Sequence, residues 1–170
     1  MKIQLIKYLL FCLFFLYTNC KDDSNDIQFI LKTRDIEGNY RSTFKSGENI
    51  IFEFMILNSS LNDFIWPNDE CRLLNTEEFL LIYKIDQNHK LAIGKPHITP
   101  VYCNLVNLPD KTLPPGEHVI VEMSWKNTSD DPLYAKNELL EVGEYWTGFQ
   151  FTLSNNSFSF TTEVSFSITN

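Results

Sequence analysis

The chain has 170 residues, and its 14 lysines and arginines against 22 aspartates and glutamates give a formal net charge of −8. This acidity excludes a nucleic-acid-binding protein, because phosphates require a basic face. It also argues against a domain that lies flat on anionic lipid. The length from Cys20 onward, about 150 residues, favours one domain with an adequate core.

Residues 1–19 have the layout of a signal peptide. A basic start with Lys2 and Lys7 precedes an almost wholly apolar stretch from Tyr8 to Tyr17. That stretch is about ten residues long, whereas a membrane-spanning helix needs roughly twenty. The sequence therefore predicts an export signal that is removed. Its loss takes away two lysines and no acidic residue, so the net charge changes from −8 to −10.

The end of the signal, Leu16-Tyr17-Thr18-Asn19-Cys20, resembles a lipobox, in which a cysteine becomes the first mature residue and carries acyl chains. Most lipoboxes have Gly, Ala or Ser where this one has Asn19. The following Lys21-Asp22-Asp23 resembles the tag that sends lipoproteins of the Bacteroidota to the outer face of the outer membrane. The resemblance implies a surface-exposed outer-membrane lipoprotein, palmitoylated or otherwise acylated on Cys20. The alternative is an ordinary secretory signal, cut nearby, that leaves Cys20 as a free or disulfide-bonded thiol.

Two cysteines, Cys71 and Cys103, remain after Cys12 leaves with the signal and Cys20 takes the lipid. In an oxidising compartment they predict a disulfide. That bond would stabilise the fold by about 3 to 4 kcal/mol on the chain-entropy model. The alternative is two buried thiols, and the absence of a C-x-x-C spacing disfavours zinc.

After a polar tether that ends at residue 26, side chains alternate with a period of two, which is typical of strands. The alternation is clearest from Phe158 to Ile168. The run from Ile50 to Leu57 is apolar on both faces, which predicts a central, well-covered strand. Helix signals are weak, at residues 76–79 and 133–140. The predicted strands are 27–33, 50–57, 64–66, 79–85, 90–93, 101–106, 118–125, 145–153 and 158–168.

Many short strands separated by Pro, Gly and Asn predict an all-β, antiparallel sandwich that occupies residues 27–170 as one domain. Three stretches, Ser46-Gly47-Glu48, Leu113 to Glu117 and Leu140 to Tyr145, each lead into a strand. Together they resemble the BsuPI-like family of intracellular proteinase inhibitors. This resemblance covers residues 47–153 and implies an immunoglobulin-like sandwich of about seven to nine strands. The pattern around Tyr145 also fits a tyrosine corner, in which the Tyr hydroxyl bonds to nearby backbone.

Catalytic and metal-binding patterns are not found in the sequence. The three histidines, at 89, 97 and 118, are scattered, and no G-x-S-x-G turn is present. Acidic residues cluster at 63, 69 and 70 and at 130 and 131, where they are either calcium loops or, as we favour, solvated loop acids. The sequence therefore predicts a protein that is not an enzyme and has no cofactor.

Three tryptophans, Trp66, Trp125 and Trp146, either form a stacking platform for sugars or pack the core. Trp66, beside Pro67 at a strand end, is the candidate for exposure, and an exposed aromatic patch would mark a binding surface.

An export address and a fold without catalytic residues together predict a lipid-anchored binding module of the cell envelope. We expect it to recognise a protein or glycan through loops at one end of the sandwich. The alternative is a protective lipoprotein that inhibits a protease or neutralises a toxin, and a purely structural role in envelope assembly is a third possibility.

Overall fold

The structure is a computed structural model that describes residues 26–67, 70–87, 89–96, 109–125, 139–154 and 159–170. Within these ranges the chain forms ten strands and one short helix. No helix in the described ranges is both long and apolar enough to cross a bilayer. The elements are β1 (Ile27–Arg34), β2 (Thr43–Lys45), β3 (Ile50–Asn58), β4 (Phe64–Trp66), α1 (Glu70–Leu74), β5 (Ile82–Asp86), β6 (His89–Gly94), β7 (Lys111–Leu113), β8 (Gly116–Trp125), β9 (Gly143–Thr152) and β10 (Ser159–Thr169).

The strands form two main sheets and a ribbon. A three-stranded sheet has the order β1-β3-β8, and a five-stranded sheet has the order β2-β10-β9-β5-β6. Every pairing between these strands is antiparallel except that of β2 with β10, which is parallel. Strands β4 and β7 pair with each other as a separate ribbon. The predicted all-β antiparallel sandwich is confirmed, with ten described strands instead of about seven to nine.

Aromatic side chains from the two main sheets meet in the core. The rings of Phe29 on β1 and Phe160 on β10 are stacked, with centroids 3.9 Å apart. Phe54 on β3 lies 5.5 Å from Phe160 and 5.5 Å from Phe149 on β9, measured between ring centroids. Aromatic pairs add about 0.5 to 1.5 kcal/mol beyond the burial of their area. These contacts therefore fix how the two sheets face each other.

The central position predicted for the apolar run is confirmed, because β3 lies between β1 and β8 and all its residues except Leu57 are buried. The hairpin predicted between residues 79–85 and 90–93 is also present, although its first strand begins only at Ile82. The one described helix, α1, precedes the position predicted for a helical turn. Glu70 in its first turn and Arg72 in its last both have the charge that the helix dipole favours.

Candidate binding site on the five-stranded sheet

The predicted lipidation site Cys20 and the export tag Lys21, Asp22 and Asp23 lie outside the described residues, as does Cys103. Cys71 is the second residue of α1 and is partly buried. Lipidation, export to the surface and the Cys71–Cys103 pairing therefore stay predictions.

Metal ligands do not come together in the part of the chain that the structure describes. There, no group of three or more His, Cys, Asp or Glu side chains could hold a metal ion. His118 has a local contact instead, since its Nε2 donates a hydrogen bond to the carbonyl oxygen of Pro114 at 2.7 Å. This bond closes the turn that leads into β8.

The prediction that Trp66 is the exposed tryptophan is wrong. Its side chain is fully buried, and its ring lies 6.4 Å from that of Phe29 and 6.3 Å from that of Phe54. The reason is that Trp66 ends β4 with its side chain directed into the core. Trp125 is also a core residue, with 2% of its surface exposed. Trp146 is the tryptophan that reaches the surface, where it is half-buried.

A tyrosine corner determines the direction of Trp146. The hydroxyl of Tyr145 donates a hydrogen bond to the carbonyl oxygen of Glu141 at 2.7 Å, which confirms the corner expected from the sequence. The Tyr145 ring is buried against Phe166, with centroids 5.3 Å apart, and burial raises the pKa of its hydroxyl. Successive side chains of a strand point to opposite faces. With Tyr145 inside, Trp146 must lie on the outer face of the five-stranded sheet.

Four neighbouring strands contribute one residue each to a cluster around Trp146. The Tyr83 ring lies 5.7 Å from the Trp146 ring, tilted by 52°. The ammonium nitrogen of Lys90 lies 3.2 Å from the centroid of the Trp146 ring. The indole Nε1 of Trp146 donates a hydrogen bond to Oε2 of Glu163 at 3.1 Å. These residues, Tyr83, Lys90, Trp146 and Glu163, are called the Trp146 site below.

Gly148 provides the space in which the indole lies. A Cβ atom at this position would be 2.7 Å from Cζ2 of Trp146 and 2.8 Å from Cβ of Glu163. It would also be 3.0 Å from the carbonyl oxygen of Thr162, which belongs to the backbone and cannot rotate away. A side chain larger than glycine would therefore displace the indole or its carboxylate partner. Gly148 is a positioning residue that sequence reasoning missed.

The surface around the Trp146 site is polar. Glu144 lies two residues before Trp146 on β9 and is exposed on the same face, which therefore has a second carboxylate besides Glu163. Hydroxyl and amide side chains occupy the neighbouring positions of this face. They are Gln150, Thr161 and Ser165.

A second concave feature lies between the β5–β6 hairpin and residues 139–143. It is a cavity of about 560 Å³ whose lining includes Leu91, Ile93 and Val142. Three charged residues line it. One is Asp86, and the other two, Lys84 and Glu141, form an ion pair with each other. The hydrogen bond between them raises the pKa of Lys84 and lowers that of Glu141. Because two of the three charges of this cavity are already paired with each other, the Trp146 site is the better candidate for ligand recognition.

Comparisons with known proteins identify no relative of this chain. No family model, no curated protein and no solved structure matches it. The resemblance to the BsuPI-like family therefore stays a prediction, and the candidate site rests on the geometry of the chain itself.

Proposed function

We propose that the protein is a non-catalytic, lipid-anchored binding module of the cell envelope, and that the Trp146 site is its ligand-binding surface. The observation that carries the proposal is the position of the Trp146 indole, which is half-exposed. A hydrogen bond to Glu163 orients the indole, and the missing side chain of Gly148 leaves room for it. Tryptophan is among the residues most enriched at binding hot spots. A fixed, accessible indole with a polar rim is a typical feature of such surfaces.

The composition of the face supports this proposal. The outward residues of β10 beside the site are Ser, Thr and Glu, which alone keep a solvent-facing sheet soluble. An accessible tryptophan is therefore not required for solubility. Tyr83 and Trp146 are direct cross-strand partners, and such a pair contributes about 0.2 to 1 kcal/mol to a sheet. A test of function must therefore measure stability and binding together.

Trp146→Ala should remove binding while keeping the fold. We expect ligand affinity to fall at least tenfold, because truncation of a hot-spot residue costs about 2 kcal/mol or more. The free energy of unfolding should fall by no more than about 1 kcal/mol, since the residue is only half-buried. Glycan and envelope-protein arrays identify ligands of the unaltered protein, and titration of each ligand against both proteins gives the affinities.

The matched control for this experiment is Val119→Ala, which shortens an exposed side chain on β8 of the other main sheet. Its affinity should equal that of the unaltered protein. A ligand that binds Trp146→Ala and the unaltered protein equally would place recognition elsewhere. If that ligand is a protease and the protein blocks its active site, the result would favour the inhibitor alternative.

Anchoring belongs to the same proposal and rests on the lipobox. A single acyl chain binds a membrane reversibly, whereas two or more hold it stably. We therefore expect Cys20→Ser to move the protein from the membrane fraction to the soluble fraction after signal cleavage. Fractionation followed by immunoblotting measures the distribution. A cleaved variant that remains with the membrane would contradict lipidation at this residue.

The Cys71–Cys103 disulfide is a further part of the proposal. It is supported by Cys71, which is a disulfide-bonded cysteine. An exported domain is the setting in which such a bond persists. The bond would connect α1 to the segment that precedes β7.

A further inference from the structure

We infer that the ligand of the Trp146 site is a cationic side chain, a lysine or arginine of a partner protein, and that Lys90 occupies its position in the free protein. This inference rests on the proposed function, because it names the chemical class that the same surface recognises.

The first support is the cation that the site already contains. The Lys90 ammonium lies 3.2 Å from the centroid of the Trp146 ring, well inside the roughly 6 Å over which a cation is attracted to an aromatic face. Lys90 belongs to β6, the last strand of the five-stranded sheet, and its side chain is exposed. A flexible, exposed side chain is displaced at little cost. The ring face is thus available to another cation.

The second support is the arrangement around the ring. Tyr83 adds a second aromatic ring, 5.7 Å from the first between centroids and tilted by 52° to it. Glu163 accepts the hydrogen bond of the indole N–H, and this polarises the ring toward greater negative charge on its faces. Glu144 adds a second carboxylate on the same side of the sheet. Each of these features favours a positive ligand.

The third support is charge complementarity over longer distances. The mature chain has a net charge of −10, which is the value of −8 for the whole chain less the two lysines of the signal. Such a field attracts a basic partner and repels an acidic one. A neutral sugar would have to remove Lys90 from the ring without replacing its charge. A ligand lysine or arginine instead exchanges one cation for another.

The test uses a lysine-rich peptide and the same peptide with every lysine acetylated, which removes the charge. The full chain carries Cys20→Ser in every sample so that lipid does not vary. Binding is read from tryptophan fluorescence. Because Trp66 and Trp125 have 0% and 2% of their surface exposed, Trp146 reports the event. We expect the charged peptide to bind and the acetylated peptide to bind at least tenfold more weakly.

Two variants separate specific recognition from the general attraction of an acidic protein for a basic peptide. Trp146→Leu keeps every charge, and calorimetry should show at least a fivefold loss of affinity, because the aromatic face is gone. Lys90→Met removes the internal competitor, so affinity should rise about two- to fivefold, as expected for an exposed cation–π contact. Lys45→Met is the matched control, since Lys45 is an exposed lysine on β2, at the opposite edge of the same sheet.

The inference is overturned if the charged and acetylated peptides bind equally, if Trp146→Leu binds as well as the unaltered protein, or if Lys90→Met gains no more than Lys45→Met. Thermal unfolding of each variant shows that it is folded. A neutral oligosaccharide, cellohexaose, is the comparison ligand. If it binds in a Trp146-dependent way while the peptide does not, the cationic ligand is excluded and the proposed binding surface stands. If the ligands found on the arrays bind Trp146→Ala as tightly as they bind the unaltered protein, the proposed function fails as well.

Discussion

Phe54→Ala is expected to lower the free energy of unfolding by about 3 to 5 kcal/mol, the range for truncation of a buried aromatic residue. Phe54 is fully buried on the central strand β3. Its ring lies within 5.5 Å of Phe149 and Phe160 on the opposite sheet, measured between centroids. Alanine would remove contacts between both sheets and leave a cavity that neighbouring rings cannot fill. Urea unfolding followed by circular dichroism measures the change.

Two further variants serve as comparisons for the loss of stability in Phe54→Ala. Phe54→Leu keeps most of the side-chain volume and should cost clearly less than alanine, because the cavity is smaller. Leu61→Ala removes an apolar side chain that is 97% exposed, so the free energy of unfolding should change by less than about 0.5 kcal/mol. If Phe54→Ala costs no more than Leu61→Ala, Phe54 does not join the two sheets.

The class of fold was predictable because alternation and turn residues are local signals. The strand from Ile50 is apolar on both faces, which can only be satisfied by cover on both sides, and β3 has that cover. Strands β2 and β7 were not predicted, since each has three residues and too few positions to show a period. Their pairing depends on a partner distant in the chain, β10 for β2 and β4 for β7.

The candidate site was only partly predictable. The sequence predicts the tyrosine corner at Tyr145, and the alternation of side chains then places Trp146 on the outside. The sequence thus contains a signal for the exposure of Trp146, whereas the proline after Trp66 indicates only the end of a strand. The cluster itself depends on register. Tyr83 opposes Trp146, and Lys90 opposes Ile85, only because β5 pairs with both β9 and β6 in one particular alignment. No local sequence pattern predicts the register of β5 with these two strands.

Arg34→Met is expected to lower the free energy of unfolding by about 3 kcal/mol or more, because it removes one partner of a buried ion pair. The Glu53 side chain has 6% of its surface exposed, although it lies on the outer face of the three-stranded sheet, and Arg34 forms the salt bridge to it. The hydrogen bond to Glu53 is the main cause of the raised pKa of Arg34, so the guanidinium stays charged. In the variant, the hydroxyl of Tyr40, at 2.7 Å, would be left as the donor to a buried carboxylate.

The double variant Arg34→Met with Glu53→Met tests whether the loss of stability in Arg34→Met comes from the buried charge of Glu53, which has lost its salt bridge. Removing both charges leaves apolar side chains of similar volume, which is often neutral or stabilising. We expect the double variant to unfold within about 1 kcal/mol of the unaltered protein. Glu53→Met alone should cost less than Arg34→Met alone, since Arg34 keeps a partner in Glu122 at 2.6 Å. Urea unfolding of the four proteins gives the coupling energy, which should be about 2 to 3 kcal/mol. Simple addition of the two single losses would instead mean that Arg34 stabilises the sheet by packing and not by its charge.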